Sequence, residues 1–156
     1  MLKIDIPGFK DLSIEKIVFD YNGTLALQGT IKPEVMKKLS ELADYFEVYV
    51  VTADTYGTVR QTFAGSSIQV KIISGSQGQK DKEDFVKNLN SRGVLAVGNG
   101  RNDSAMLQEA ALGIAVLEGE GMAAELCSSA DLICRSIAEV FALLENPRGL
   151  TASLRD

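Results

Sequence analysis

Histidine does not occur in this 156-residue chain. Its absence excludes Ser-His-Asp and Cys-His catalysis, and any zinc site built on imidazole. Cysteine is almost as scarce: Cys127 and Cys134 are the two in the sequence. Their spacing fits no zinc motif, and they read as two small, partly buried thiols of a reducing cytoplasm. No stretch approaches the ~18 apolar residues of a membrane span. Met1-Leu2-Lys3-Ile4-Asp5 lacks the apolar run of a signal peptide. A cytoplasmic chain with no membrane partner is the expectation. Basic residues are in the minority, 16 against 21 acidic ones, giving a net charge of −5. A nucleic-acid module would show a basic face, so no nucleic-acid partner is expected. No GxxxxGK[ST] stretch is present, which argues against a P-loop.

What is present suits one globular domain over residues 1–156. Apolar residues make up 46% and charged residues 24%, enough for a real core. There is no internal repeat and no low-complexity linker. Leu2 to Ile6 alternates apolar and charged side chains, which predicts a short edge strand before Pro7-Gly8. Ile14 to Phe19 predicts a strand ending on Asp20, followed by a loop over 21–32. Pro33 suits the first turn of a helix reaching about Tyr45. Val48 to Thr52 is a β-branched run of the kind buried on both faces. Strands follow at Val70–Ile73, Val94–Val97, Ile114–Val116 and Leu132–Ile133. Helices are expected over Asp54–Phe63, Lys80–Asn90, Asp103–Ala111, Met122–Cys127 and Ile137–Leu144. The tail from Asn146 is expected to fray. Strands alternating with helices imply an α/β fold, a parallel sheet with helices on both faces. Ligands of such sheets bind outside the C-terminal ends of the strands.

Those ends carry a particular set of groups. Asp20-Tyr21-Asn22-Gly23-Thr24-Leu25 follows the first core strand. Thr52-Ala53-Asp54 follows the second, and Gly98-Asn99-Gly100-Arg101-Asn102-Asp103 the fourth. Lys82 opens the helix between the third and fourth strands. Singly, each has an ordinary role: a turn-forming Asp, a capping Thr, a solvated Lys. Together they suit phosphoryl transfer, which needs an in-line nucleophile and cations around the equatorial oxygens. Asp20 is the candidate nucleophile, giving an acyl phosphate. Thr52 Oγ and backbone N–H groups around Gly23 and Ala53 are candidate phosphate donors, with Lys82 neutralising charge. Asp20, Asp103 and an amide or carbonyl oxygen would suit Mg²⁺, which takes few protein ligands and keeps waters.

These residues resemble the haloacid dehalogenase superfamily, which includes many phosphatases and the phosphorylation domain of P-type ATPases. The resemblance covers nearly the whole chain. Phe19-Asp20-Tyr21-Asn22-Gly23-Thr24-Leu25 looks like the first motif, Asp-x-Asp-x-Thr, or the ATPase form Asp-Lys-Thr-Gly-Thr. Val51-Thr52-Ala53-Asp54 looks like the second. Lys82-x-x-x-Val86-x-x-Leu89 is similar to the lysine-bearing third motif of the ATPase-like branch. Val97 to Leu107 looks like the fourth, Gly-Asp-Gly-x-Asn-Asp-x-x-x-Leu, which is long and specific. A soluble P-type-ATPase-like subgroup is the nearest in pattern. The resemblance implies a three-layer Rossmann-like fold and a Mg²⁺-dependent phosphohydrolase. In it Asp20 is the nucleophile, and Thr52, Lys82 and Asn102 grip phosphate. Mg²⁺ is held by Asp20, the Asn22 carbonyl, Asn99 and Asp103.

Two positions depart from the pattern. Where family phosphatases carry an acid–base aspartate, this chain has Asn22, which cannot exchange a proton near neutral pH. Acid–base help is worth roughly 10²–10⁴ in rate, so hydrolysis should be slow. Asn99 replaces the first acid of the fourth motif, which implies weaker metal binding. Asp20 and Thr52 are 32 positions apart, too few for a lid domain, and Thr52 to Asp81 holds no more than a helix and a strand. A capless site admits a phosphorylated small molecule or a phosphoprotein, or is shielded by a second copy of the chain. Leu25, Leu27 and Ile31 near the mouth would suit such a homo-oligomer. An impaired phosphate-binding or regulatory module is the alternative reading. A receiver-like signalling domain fits less well, because its phosphoacceptor follows the third strand.

Overall fold

The computed structural model describes residues 1–54 and 57–156. The chain opens with an antiparallel ribbon, β1 (Leu2–Asp5) and β2 (Asp11–Ile14). β3 (Lys16–Asp20) then enters the main sheet, and a small hairpin follows, β4 (Ala26–Leu27) with β5 (Thr30–Ile31). Next come α1 (Pro33–Ala43), β6 (Glu47–Thr52), α2 (Thr58–Thr62), β7 (Gln69–Ile72) and α3 (Gly78–Asn88). The second half runs β8 (Val94–Gly98), α4 (Ser104–Glu109), β9 (Leu112–Val116), α5 (Leu126–Ser129), β10 (Leu132–Cys134), α6 (Ile137–Glu145) and α7 (Arg148–Leu154).

Six strands form one parallel sheet in the order β10-β9-β8-β3-β6-β7. The chain leaves β3 toward β6 and β7, then crosses back to β8 on the other side. The strand order therefore reverses at β3, and a crevice opens beyond its C-terminal end. Side chains alternate between two cores. Ile17, Phe19, Val48, Val50, Leu95 and Val97 pack with Leu39 of α1 and Phe141 of α6. Val18, Tyr49, Val51 and Ala96 pack with Val86 of α3 and with Met106 and Leu107 of α4. Because both faces are covered, these strands are apolar throughout rather than alternating.

The α/β architecture is as expected, and among the described residues no cap domain interrupts it. Several elements differ in detail. The first strand is not an edge of the sheet but half of a separate ribbon. The run Ile14 to Phe19 breaks at Glu15, whose N–H donates to the Gly93 carbonyl and whose carbonyl accepts from Glu47. Those two bonds hand the chain from ribbon to sheet. The helix expected over Asp54–Phe63 is observed as Thr58–Thr62, with residues 55 and 56 outside the described set. The helix expected from Asp103 starts as a 3-10 turn, Arg101–Asp103. The tail is not frayed: it forms α7, which buries Leu150 completely. Leu25 is buried in the chain's own core, so it is not available to a subunit contact. Cys127 is exposed and Cys134 buried, and both are free thiols. Among the described residues no helix is long and apolar enough to cross a membrane.

Candidate functional site

Strand register builds the site. Asp20 lies beside Val51 of β6, and Phe19 beside Val97 of β8, which puts Gly98 next to Asp20 on its other side. Residues in register share a face, so Asp20 emerges toward α3 and α4. Gly98 leaves room there, and Asp103 fills it. A Cβ on Gly98 would stand 2.5 Å from Asp103 Cγ. Asp103 Oδ2 accepts the N–H groups of Asn99 (3.0 Å) and Gly100 (2.9 Å), which fixes the loop after β8. Lys82 descends from α3, one turn before Val86 on the same buried face. Its ammonium donates to Asp20 Oδ1 at 2.6 Å and to Asp103 Oδ1 at 2.5 Å. Asp20, Lys82 and Asp103 are 8%, 1% and 0% exposed.

Two carboxylates thus share one ammonium away from water. Burial pushes the Asp20 carboxyl up, the Asp103 charge pushes it further, and Lys82 offsets this in part, leaving it at about 7. Burial pulls the Lys82 ammonium down, but the charges and hydrogen bonds of Asp20 and Asp103 outweigh it and hold it above its ordinary value. The cluster is therefore short of one positive charge whenever Asp20 is ionised.

On the other side of Asp20, the buried Thr24 hydroxyl lies between two acceptors. It is 3.4 Å from Asp20 Oδ2 and 3.2 Å from Asn99 Oδ1. The Asn99 amide nitrogen donates to the Gly121 carbonyl at 3.1 Å, which leaves its oxygen to the Thr24 hydroxyl. Gly23 makes the tight approach possible. Its φ of +82° is left-handed, and a Cβ there would meet Asn99 Nδ2 at 2.3 Å. The turn is fastened by the Tyr21 carbonyl, which accepts from Leu25 and Ala26.

The residues singled out in the sequence are therefore placed unevenly. Asp20, Lys82, Asp103 and Asn99 come together, with Gly23 giving the clearance. Thr52 is buried at the end of β6, one position beyond the neighbour of Asp20. Asn22, Ala53 and Asn102 lie exposed around the rim. Two contributors gain a role only in the structure. Thr24 stood inside the first motif, which was the available signal. Gly121 lies about twenty residues from its partner Asn99 and carried no local signal.

Among the described residues, no group of three or more Asp, Glu or Cys side chains is arranged to hold a metal ion. Asp103 has its Oδ2 on two N–H groups and its Oδ1 on Lys82. Asp20 Oδ2 and Asn99 Oδ1, by contrast, are hard oxygens that converge on one hydroxyl. That donor set fits a cation such as Mg²⁺, which needs few protein ligands, and not an all-protein cage.

No family model matches the chain. Its fold matches a cobalt-bound deoxy-D-mannose-octulosonate 8-phosphate phosphatase from Haemophilus influenzae, with a TM-score of 0.72 at 13% identity over 90% of this chain and 92% of that one. The 3-deoxy-D-manno-octulosonate 8-phosphate phosphatase of Moraxella catarrhalis, solved with magnesium and phosphate ions, matches with a TM-score of 0.64 at 18% identity over 91% and 94%. In sequence, the chain is 28% identical over 136 residues to the copper-transporting ATPase ccc2 of Schizosaccharomyces pombe, covering 84% of this chain and 15% of that ATPase. The structure thus has the haloacid dehalogenase fold, with no cap domain among the described residues. Within it, the chain belongs to one family with the uncharacterized protein MJ0073 of Methanocaldococcus jannaschii. The two are 35% identical over 74 residues, which is 47% of this chain and 80% of that one.

Proposed function

We propose that this protein is a Mg²⁺-dependent phosphohydrolase or phosphotransferase that forms an aspartyl phosphate on Asp20. The observation that carries the reading is the buried Asp20–Lys82–Asp103 cluster at the point where the strand order reverses. The phosphatases that share the fold act on phosphate esters, as their names state, which supports the same reaction class here.

In this reading, Asp20 Oδ2, Asn99 Oδ1 and the Asn22 carbonyl hold the cation, and Asp103 serves mainly to hold Lys82. The cation would supply positive charge that lets Asp20 and a phosphate stand together. A carboxylate oxygen of Asp20 attacks phosphorus, and the bond from phosphorus to the leaving oxygen breaks in line. Lys82, already on Asp20, takes up charge from the phosphoryl oxygens. Thr52 and the N–H groups of Gly23 and Ala53 bind those oxygens, with Asn102 supporting them from the rim. The leaving oxygen takes its proton from water, because Asn22 has none to give. Hydrolysis of the acyl phosphate is slowed for the same reason, by roughly 10²–10⁴.

The substrate is a phosphorylated small molecule or a phosphoprotein, since the rim is open. The test is mass spectrometry after incubation with Mg²⁺ and acetyl phosphate. An adduct on wild type that is absent from Asp20→Asn is expected; an unphosphorylated Asp20 would overturn the reading. Asn22 together with Asn99 also supports a second reading, a phosphate-binding or regulatory module with little turnover. It predicts phosphate binding with no adduct.

A further inference from the structure

The loop after β9, residues 117–125, belongs to none of the four motifs. It contains a tight turn, Glu118 to Gly121, closed by the Gly121 N–H on the Glu118 carbonyl at 2.8 Å. Each residue of that turn holds a different segment. The Glu118 carboxylate accepts the N–H of Ile137, the first residue of α6, at 2.7 Å. Gly119 lies against Leu27 of β4, since a Cβ on it would stand 3.4 Å from Leu27 Cδ1. Glu120 Oε1 accepts the N–H of Gln28, at the tip of the β4–β5 hairpin, at 2.6 Å. The Gly121 carbonyl accepts from the Asn99 amide at 3.1 Å, and just beyond the turn the Ala123 N–H donates to the Asn99 carbonyl at 2.9 Å. One short, self-closed unit thus grips both the hairpin and Asn99.

The hairpin in turn closes the other side of the site. Its first residue, Ala26, accepts the Gly23 N–H at 2.7 Å and donates to the Tyr21 carbonyl at 2.9 Å. Those two bonds close the turn that contains Asn22 and Thr24. At the tip, Gln28 and Gly29 have φ of +51° and +76°, and the Tyr21 hydroxyl donates to the Gly29 carbonyl at 3.4 Å. A non-glycine residue stays in the left-handed region when its surroundings hold it there. For Gln28 the holding contact is the Glu120 carboxylate on its N–H.

We propose that Glu120 is a positioning residue for the cation at Asp20. The inference rests on the reading in which Asn99 Oδ1 and the Asn22 carbonyl join Asp20 as ligands. Those two oxygens come from segments far apart in sequence. The Glu118–Gly121 turn holds one of them through Gly121, and the other through Glu120 and the hairpin. It therefore sets their separation before any cation arrives. A site already in its bound geometry spends less on ordering when it binds. Glu120 acts here through other residues, and what it supplies is an acceptor for one N–H rather than a charge. It is exposed, so cutting its bond should cost the fold little.

The test joins hydrogen exchange of the metal-free protein with Mg²⁺ calorimetry, both on the full chain. Glu120→Ala loses the acceptor, whereas Glu120→Gln loses the charge but keeps a side-chain oxygen for the Gln28 N–H. Without metal, exchange at the Gln28 amide should quicken about tenfold in Glu120→Ala and stay near wild type in Glu120→Gln. Asn99→Ala, which frees Gly121, should quicken it as well. The Phe9 amide, bound to the Ile6 carbonyl in the N-terminal ribbon, is the control and should keep its rate. Mg²⁺ affinity should fall about tenfold in Glu120→Ala, the lower end of what losing a ligand's support costs, and return in Glu120→Gln. The metal-free melting midpoint should not move in either variant. Equal Mg²⁺ affinity in wild type and Glu120→Ala overturns the proposal, as does a wild type that binds no Mg²⁺. So does equal weakening in both variants, which would make Glu120 a charge acting at a distance. A wild type that binds Mg²⁺ yet forms no adduct on Asp20 would sink the phosphoryl-transfer reading alone, and the two variants would still decide the role of Glu120.

Discussion

The Lys82 ammonium stands 2.6 Å from Asp20 Oδ1 and 2.5 Å from Asp103 Oδ1, so one buried cation holds two buried carboxylates. Removing it strands both. Breaking a buried ion pair from one side costs about 3–5 kcal/mol, because the remaining charge has neither water nor partner. Lys82→Met should lose about that much in urea unfolding at pH 8. The loss should shrink toward pH 5, where Asp20 takes a proton and ceases to need a counter-charge. A variant equally destabilised at both pH values would contradict the buried cluster.

Asp20 gives the native protein a pH dependence of its own. Its folded carboxyl stands at about 7 against 3.8 when unfolded. Between those values the folded state binds the proton and the unfolded state does not. Stability from this group is therefore full below pH ~4 and falls as pH rises to about 7. Asp20→Asn removes that slope and should be more stable than wild type at pH 8, by roughly 1–3 kcal/mol. A cation at Asp20 must displace the same proton. Mg²⁺ affinity should thus fall about tenfold per pH unit below 7 and level off above it, as calorimetry across pH would read.

Asn22 sits exposed on the turn after β3, where it can exchange protons with neither a leaving group nor a water. Asn22→Asp restores a titratable group at that place. Phosphate release from the Asp20 adduct should rise by roughly 10²–10⁴. The adduct's lifetime should shorten in proportion while its rate of formation changes less. If neither rate moved, the reading of the protein as a handicapped enzyme would fail.

Much of this was legible in the sequence because it rests on local pattern. The β-branched run at Val48–Thr52 and the strand–loop–helix alternation gave the parallel sheet, and Asp20, Lys82 and Asp103 stood out by type and position. What was not legible depends on contacts between distant segments. Glu15 ends one strand pairing and starts another only because Gly93 and Glu47 lie beside it. The tail looks polar, yet Leu150, with Leu154 partly buried beside it, anchors a helix. Thr24 gains its role from Asn99, and Asn99 its orientation from Gly121, neither of which sequence spacing could place.

Gly98 is required by the space it leaves. Alanine there would put a Cβ 2.5 Å from Asp103 Cγ, and the buried carboxylate has little room to retreat. Overpacking of this kind costs about 1–3 kcal/mol. Displacing Asp103 also loosens Lys82 and the loop N–H groups it binds. Gly98→Ala should lower the unfolding midpoint and abolish the Asp20 adduct together. Retention of full adduct formation would show that Asp103 does not hold Lys82 in place.

Asn99 departs from the acidic pattern, and its surroundings explain why a plain aspartate would not fit. The amide nitrogen donates to the Gly121 carbonyl at 3.1 Å while its oxygen accepts from the Thr24 hydroxyl at 3.2 Å. In Asn99→Asp that nitrogen becomes an oxygen set against a carbonyl oxygen, two acceptors with no proton between them. An unsatisfied buried group costs about 1–3 kcal/mol, and a half-buried one such as Asn99 falls toward the lower end. The new charge also faces Asp20 and Asp103 with no further cation beside it. Without metal the variant should therefore melt below wild type. With Mg²⁺ the extra charge becomes an attraction, so affinity should rise about tenfold, or ~1.4 kcal/mol. Thermal unfolding with and without Mg²⁺ reads both effects, and the variant's midpoint should rise more than the wild type's on adding the ion. If Mg²⁺ raised the two midpoints equally, Asn99 would have no place among the ligands, and the cation would have to be held by Asp20 and the loop carbonyls alone.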